Sequence, residues 1–223
     1  KAAAVRRASG LAPAKPRPPS SATRWMTRFR SSLLGFLFLA GCASSSGIPA
    51  AGMDGTAIAA AYIPLHRGSV LSHADGAAVA IAPGIAVTNG HNRNLVAPET
   101  MIGEARDYDL LFFRDARAAM TAIAEPVIGK SIHAYGQGGN GDLRRADGVV
   151  RVVQTCSGCN APAYFTFVGN AGPGFSGGPV LDASGRLIGI IFGYRDDGRE
   201  RLIYAYPMSR VEAELSALPK ATK

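Results

Sequence analysis

Short apolar runs separated by glycine, proline and asparagine turns dominate the chain from about residue 77 onward. Residues 77–81 and 85–88 are two such runs on either side of Ala82-Pro83-Gly84, which predicts a hairpin whose second strand ends at Asn89-Gly90-His91. Leu110-Leu111-Phe112-Phe113 predicts a buried strand entered from Asp107-Tyr108-Asp109. Residues 122–155 alternate apolar stretches around Val127-Ile128, Ile132 and Val149-Val150 with glycine turns, the pattern of a small antiparallel barrel. Tyr164-Phe165-Thr166-Phe167-Val168 alternates as a strand does, and Leu187-Ile188-Gly189-Ile190-Ile191-Phe192-Gly193 is an apolar run between turn signals. A helical signal comes last. Ser209-Arg210-Val211-Glu212 has the spacing of a capping box, with a helix through Leu215 or Leu218 and Pro219 beyond it.

Composition agrees with a folded body. The 223 residues are 47% hydrophobic and 18% charged, enough to bury a sizeable core as one domain or two small ones. Net charge is +8, which by itself points to nucleic acid or an anionic surface. Eight of the 24 basic residues, however, lie in residues 1–41, which hold no acid; the remainder carries 16 basic against 16 acidic residues. The body is neutral, and a nucleic-acid partner loses its support.

Residues 1–25 are rich in alanine, proline and arginine and read as untranslated upstream sequence or a disordered extension, with Met26 a plausible start. From there a basic segment (Arg28, Arg30), an apolar one (Leu33 to Leu39) and Leu39-Ala40-Gly41-Cys42 follow in order. This resembles a bacterial lipoprotein signal peptide over residues 26–41, with Cys42 as the lipidated mature N-terminus; the apolar run is too short to span a bilayer. Residues 42–53 then form a tether beginning Ala43-Ser44-Ser45-Ser46-Gly47, and Ala43 after the cysteine resembles an outer-membrane address. The expected location is the cell envelope, lipid-anchored and facing the periplasm. With Cys42 lipidated, Cys156 and Cys159 remain as an even pair in an oxidising compartment and are expected to form a disulfide. A lone Cys-x-x-Cys supplies too few ligands for a structural metal, and no metal or organic cofactor is indicated.

The chemistry concentrates in Gly172-Pro173-Gly174-Phe175-Ser176-Gly177-Gly178-Pro179-Val180-Leu181. Glycines and prolines around a single serine forbid regular helix and favour a tight loop whose N–H groups face a common space. This stretch, followed by Gly189-Ile190 on the next strand, resembles the nucleophile loop of the chymotrypsin-like serine endopeptidases. Thr88-Asn89-Gly90-His91 is similar to the segment that supplies the family's general base, with Gly90 where alanine is usual. Asp109 before Leu110-Leu111-Phe112-Phe113 resembles the orienting acid, and Asp107, two residues earlier, is the fallback. The elements stand in the family's order over residues 77–218.

The resemblance implies an all-β, chymotrypsin-like fold of two six-stranded-type antiparallel barrels and a C-terminal helix. Only 18 residues separate His91 from Asp109, so the first barrel is expected to be trimmed. The protease domain is expected over 54–223, divided as 54–120, 121–207 and 208–223, with no sequence left after the helix for the PDZ domain of many bacterial relatives. His91, Asp109 and Ser176 are the implied triad, the N–H groups of Gly174 and Ser176 the oxyanion hole, and Asn170, Phe192 and Gly193 the substrate pocket. A neutral Asn170 argues against a strict lysine or arginine preference. Phe175 stands where the digestive branch has the acid that pairs with a cleaved N-terminus, which implies a different activation route. His133 is expected to be structural, and His66 and His73 receive no role. The implied activity is cleavage of peptide or protein substrates. A protease fold without activity that serves as a binding module, and an esterase using the same triad, are the alternatives.

Overall fold

The apolar runs become strands, and the order in which they pair explains their composition. The computed structural model describes residues 47–50, 57–69, 72–120, 122–138, 141–156, 158, 161–196 and 198–219. The leader, Cys42, most of the tether and Cys159 lie outside the described residues.

After β1 (Ile48–Pro49) and a short helical turn, α1 (Ala57–Ala61), come β2 (Tyr62–Ser69), β3 (Ser72–Ala82), β4 (Ile85–Asn89), β5 (Met101–Ala105) and β6 (Leu110–Phe113). Strands β2 to β6 form a five-stranded antiparallel sheet in the order β2-β3-β4-β6-β5. The trimmed first barrel takes this form. Its predicted hairpin is the β3–β4 pair, but β3 begins well before residue 77 and pairs along its length with β2, from Ser69↔Ser72 to Tyr62↔Val79. That hairpin carries little periodic signal because Pro64, Gly68 and Gly76 interrupt it.

The second half is closed. β7 (Ser131–Gln137), β8 (Leu143–Gln154), β9 (Tyr164–Val168), β10 (Pro179–Asp182), β11 (Leu187–Asp196) and β12 (Arg201–Pro207) run β8-β7-β10-β11-β12-β9, and β9 pairs back onto β8. The 12-residue β8 is long enough to serve both ends: Leu143 to Val149 pairs with β7, and Val149 to Gln154 with β9. β1 lies against the first half of β8, Ile48 opposite Arg145. The helix α2 (Met208–Ala217) follows β12 directly.

Strands without polar alternation are those shared by two cores. On β6, Leu110 and Phe112 face one buried cluster, while Leu111 and Phe113 face another. On β11, Leu187 and Ile190 belong to the first of these, and Ile188 and Ile191 fill the closed barrel with Phe165, Phe167 and Phe175. Such a strand buries both faces, so a one-residue slip in register would misplace every side chain.

α2 starts differently from its sequence signal. Its N-cap is Pro207, with no side-chain cap, and Ser209 Oγ donates instead to Glu125 Oε2 at 3.1 Å. Fixing φ suits proline to the entry of a helix, and Glu125 competes for the hydroxyl. The helix is held by burial of Met208 and Val211 in the first core, ends at Ala217, and has Leu218 as C-cap with Pro219 beyond.

Candidate active site

β4 delivers Thr88 and Asn89 to its end, and a 3₁₀ turn over Gly90–Leu95 then presents His91. A second 3₁₀ turn, Arg106–Tyr108, precedes Asp109, which has φ 47° and ψ 42°. It is the sole non-glycine residue with positive φ among those described. Aspartate tolerates this left-handed conformation better than most side chains. The turn aims both ends of Asp109 at the neighbouring strand. Its carbonyl accepts from Gly90 N (2.8 Å) and Asn89 Nδ2 (3.3 Å). Its carboxylate spans His91, with Oδ1 accepting the main-chain N–H at 2.9 Å and Oδ2 meeting Nδ1 at 2.6 Å. A carboxylate only accepts, so Nδ1 carries the proton and Nε2 keeps its lone pair. The structure thus brings His91 and Asp109 together, and Asp107, in the 3₁₀ turn, makes no hydrogen bond to His91.

His–Asp contacts are not themselves distinctive here. His66 meets Asp75 at 2.5 Å and His133 meets Asp147 at 2.6 Å. Burial alone would raise the Asp147 carboxyl, but hydrogen bonds and charge from His133 and Arg145 hold it below the usual carboxylate range. What separates His91 is its neighbour.

That neighbour is the serine loop. Phe175 N donates to Gly172 O (3.0 Å), closing a turn in which Gly174 has φ +86°. The Phe175 ring is fully buried in the closed barrel, where it lies against Gly136. An apolar anchor replaces an ion pair at this position, and burying such a ring contributes about 1.5–3 kcal/mol. Gly174 O accepts from Gln137 N (2.9 Å), and Gly177 N donates to Ile191 O (2.8 Å), so strands on both sides pin the loop. Ser176 O accepts from Ala77 N and from Asn92 Nδ2, each at 2.9 Å. Asn92 follows His91 directly, so one buried side chain ties the histidine turn to the serine loop. Ser176 Oγ itself makes no hydrogen bond to His91 among the described residues. From Gly174 to Gly178, the N–H groups of Phe175, Gly177 and Gly178 are engaged, whereas those of Gly174 and Ser176 have no acceptor among the described residues.

Close approach dictates glycine at two positions. A Cβ on Gly177, at φ +81°, would stand 2.1 Å from Ala77 O and 2.2 Å from Thr88 Oγ1. Gly177→Ala is expected to destabilise the fold by roughly 3 kcal/mol or more, combining backbone strain with a clash. Gly84→Ala meets no atom within 4 Å, and urea denaturation should give it no more than about 1–2 kcal/mol; equal losses would refute the account. At Gly90, a Cβ would meet Asp109 Oδ1 at 2.8 Å and Glu104 Oε1 at 2.9 Å. The departure from alanine therefore makes room for two carboxylates, and it does not loosen the histidine. Arg93 pairs with Glu104 at 2.5 Å, which leaves Asp109 to His91.

The implied pocket residues separate into two settings. Asn170 is exposed, and its carbonyl accepts from Gly47 N. Phe192 is the unpaired residue of a bulge between Ile191 and Gly193, and its ring stacks on Tyr206 at 4.1 Å. Gly193 faces open space, with no atom within 4 Å of a built Cβ. Tyr206 continues toward the His91–Asp109 pair: burial pushes its hydroxyl well above the ordinary tyrosine range, and negative charge at Asp109, then Tyr108 and Glu214, adds to the shift. Cys156 receives Arg210 Nη2 at 3.9 Å. No group of three or more His, Cys, Asp or Glu residues among those described could hold a metal ion.

Three contributors were absent from the sequence reading. Asn92 is one. Gln137 is another: its buried Nε2 donates to Leu65 O (2.8 Å) and Gly76 O, joining β7 to the first sheet directly beneath the serine loop. Arg210 is the third, buried on α2 with its guanidinium over the Tyr108 ring. Only Gln137, a polar residue ending a strand, offered a signal, since such a group requires partners once buried.

A closed six-stranded barrel, a companion antiparallel sheet, a C-terminal helix and a glycine-framed serine loop together define a chymotrypsin-like fold. The chain belongs to the trypsin-like peptidase domain family, whose model matches residues 67–190. Among similar solved structures, the Rv3671c protease of M. tuberculosis in its active form is 18% identical, with TM-score 0.57 over 79% of this chain and 91% of that one. The serine endoprotease from Yersinia pestis is 19% identical, with TM-score 0.58 over 71% of this chain and 62% of its own. The MamO protease domain from Magnetospirillum magneticum is 14% identical, with TM-score 0.54 over 73% of this chain and 98% of that one. These likenesses show the fold. No curated protein matches the chain.

Proposed function

We propose that the protein is a serine endopeptidase with Ser176 as nucleophile, His91 as general base and Asp109 as the acid that orients it. The observation that carries this reading is the placement of a His–Asp pair, bonded through Nδ1, beside a serine loop that leaves two N–H groups without acceptors among the described residues. In the first half-reaction, His91 Nε2 takes the Ser176 proton as Oγ bonds to the scissile carbonyl carbon. The resulting oxyanion accepts from Gly174 N and Ser176 N, each donor worth roughly 3–4 kcal/mol in the transition state. His91 then returns the proton to the departing amine as the C–N bond breaks. Water repeats the sequence on the acyl-enzyme and releases Ser176. Side-chain exposures of 47% for His91 and 39% for Asp109 leave the pair open to solvent, and bound substrate would exclude that water.

The lack of a hydrogen bond between Ser176 Oγ and His91 among the described residues favours one other reading, a binding module on a protease fold. Catalytic hydrogen bonds commonly tighten only with substrate bound, so the endopeptidase reading accommodates the same fact. Labelling of the folded protein by a fluorophosphonate probe decides between them: labelling at Ser176 supports the enzyme, and none across pH 6–9 supports the module. Peptide against ester substrates then distinguishes peptidase from esterase.

We further propose that Cys42 is lipidated and anchors the domain to the envelope, and that Cys156 and Cys159 are disulfide-bonded. Support comes from the sequence alone: the order of basic segment, apolar run and Leu39-Ala40-Gly41-Cys42, and an even cysteine pair beyond it. Intact mass of the mature, non-reduced protein should show an acylated N-terminus and no alkylatable thiol, and Cys42→Ser should move the protein to the soluble fraction. An unmodified mass with unchanged membrane partition would refute the anchor, and two free thiols the disulfide.

A further inference from the structure

Arg210, on the first turn of α2, is buried to 6% exposure, and each of its three guanidinium nitrogens donates a hydrogen bond. Nη2 donates to Ala161 O at 2.6 Å, Nε to Pro162 O at 3.2 Å, and Nη1 to Glu214 Oε1 at 3.1 Å. Burying a cation in this way is costly unless it is paired and hydrogen-bonded, and here Glu214 supplies the countercharge and two carbonyls accept. Those three contacts would suffice for a residue that only staples the helix to the loop before β9. The guanidinium plane does something more: its Cζ lies 4.4 Å from the centroid of Tyr108. Tyr108 immediately precedes Asp109.

Tyr108 has a second ring contact. It meets Tyr206 edge-on, with centroids 5.7 Å apart at 80°, and Tyr206 is itself backed by Phe192 at 4.1 Å. Tyr206 and Arg210 are four residues apart across the β12–α2 junction, so one continuous segment supplies both contacts. Asp109 needs such support. Its left-handed backbone is one that residues other than glycine adopt at a cost, and an aspartate free to relax would swing its carboxylate away from His91. Its bonds to Asn89, Gly90 and His91 restrain Asp109 itself, and the contacts of the Tyr108 ring restrain the residue before it.

We infer that Arg210 is a positioning residue that, by gripping Tyr108, sets Asp109 against His91. Its consequence for catalysis rests on the endopeptidase reading, but the positioning itself does not. The reporter is therefore the His91 backbone amide, which donates to Asp109 Oδ1 and can be followed by NMR whether or not the protein turns over substrate. In Arg210→Met and Tyr108→Leu, that amide should exchange with solvent about tenfold faster or more, with Arg210→Lys intermediate because it keeps charge without the planar face. Activity towards an ester substrate should fall about 10- to 100-fold in kcat with KM little changed. In an Asp109→Asn background, Arg210→Met should add almost nothing, since both act through one group. Tyr108→Leu carries the test if Arg210→Met does not fold. Unchanged His91 amide exchange in folded variants would overturn the inference and leave Arg210 a helix staple. Lack of probe labelling in the wild type would refute the peptidase reading alone, and amide exchange would still decide Arg210.

Discussion

Ser176→Ala is expected to abolish fluorophosphonate labelling and to lower acyl-transfer activity on the order of 10⁶-fold, the scale seen when a triad nucleophile is removed. The melting temperature should stay nearly the same. The structure gives the reason: the loop is held through the Ser176 carbonyl, which accepts from Ala77 N and Asn92 Nδ2, whereas Oγ makes no hydrogen bond among the described residues. Alanine retains the carbonyl and loses only the half-buried hydroxyl. Neighbouring positions behave oppositely, since Gly177 and Phe175 are bound up with packing, so a loss of both labelling and fold there would carry no information about chemistry. Residual labelling in Ser176→Ala would show that the probe reacts elsewhere, and the assignment of the nucleophile would fall.

Most of the fold was legible because its strands bury both faces, and a run such as Leu110–Phe113 cannot satisfy two cores with polar residues. The β2–β3 hairpin escaped notice for the converse reason: proline and glycine interrupt a strand whose outer half is exposed. The capping-box signal at Ser209 found a real helix but the wrong first residue, because a long-range hydrogen bond to Glu125, 84 residues away, competed with the cap. At the site, the sequence supplied the residues and left their geometry open. Asp107 and Asp109 share a side only if the chain between them is extended. A 3₁₀ turn followed by a left-handed residue removes that premise and sends Asp109 alone to His91. Why glycine stands at position 90 cannot be read along the chain, because the reason lies in two carboxylates that approach from β5 and from Asp109. Asn92, Gln137 and Arg210 act between elements far apart in the chain, and periodicity along a single element carries no trace of such contacts.

Asp109→Asn should lower kcat by roughly 10⁴ while leaving the fold intact. Asparagine tolerates the left-handed backbone, and the bonds that Gly90 N and Asn89 Nδ2 donate to the residue 109 carbonyl are untouched. The effect arises from which amide atom goes where. At present, one carboxylate oxygen accepts the His91 main-chain N–H at 2.9 Å and the other faces Nδ1 at 2.6 Å. An amide has a single acceptor oxygen, and the fixed main-chain N–H claims it. The NH₂ group is then turned toward Nδ1, which must accept, and the imidazole proton moves to Nε2. A protonated Nε2 cannot take the Ser176 proton, so the base is lost without any change of position. Asp107→Asn, in the adjoining turn and without a bond to His91, should keep activity within about threefold, because the substitution leaves the tautomer alone. Measuring kcat for both variants with an ester substrate separates the two acids. A fall of similar size in each, or full activity in Asp109→Asn with an unshifted melting temperature, would refute the tautomer argument and, with it, the role given to Asp109.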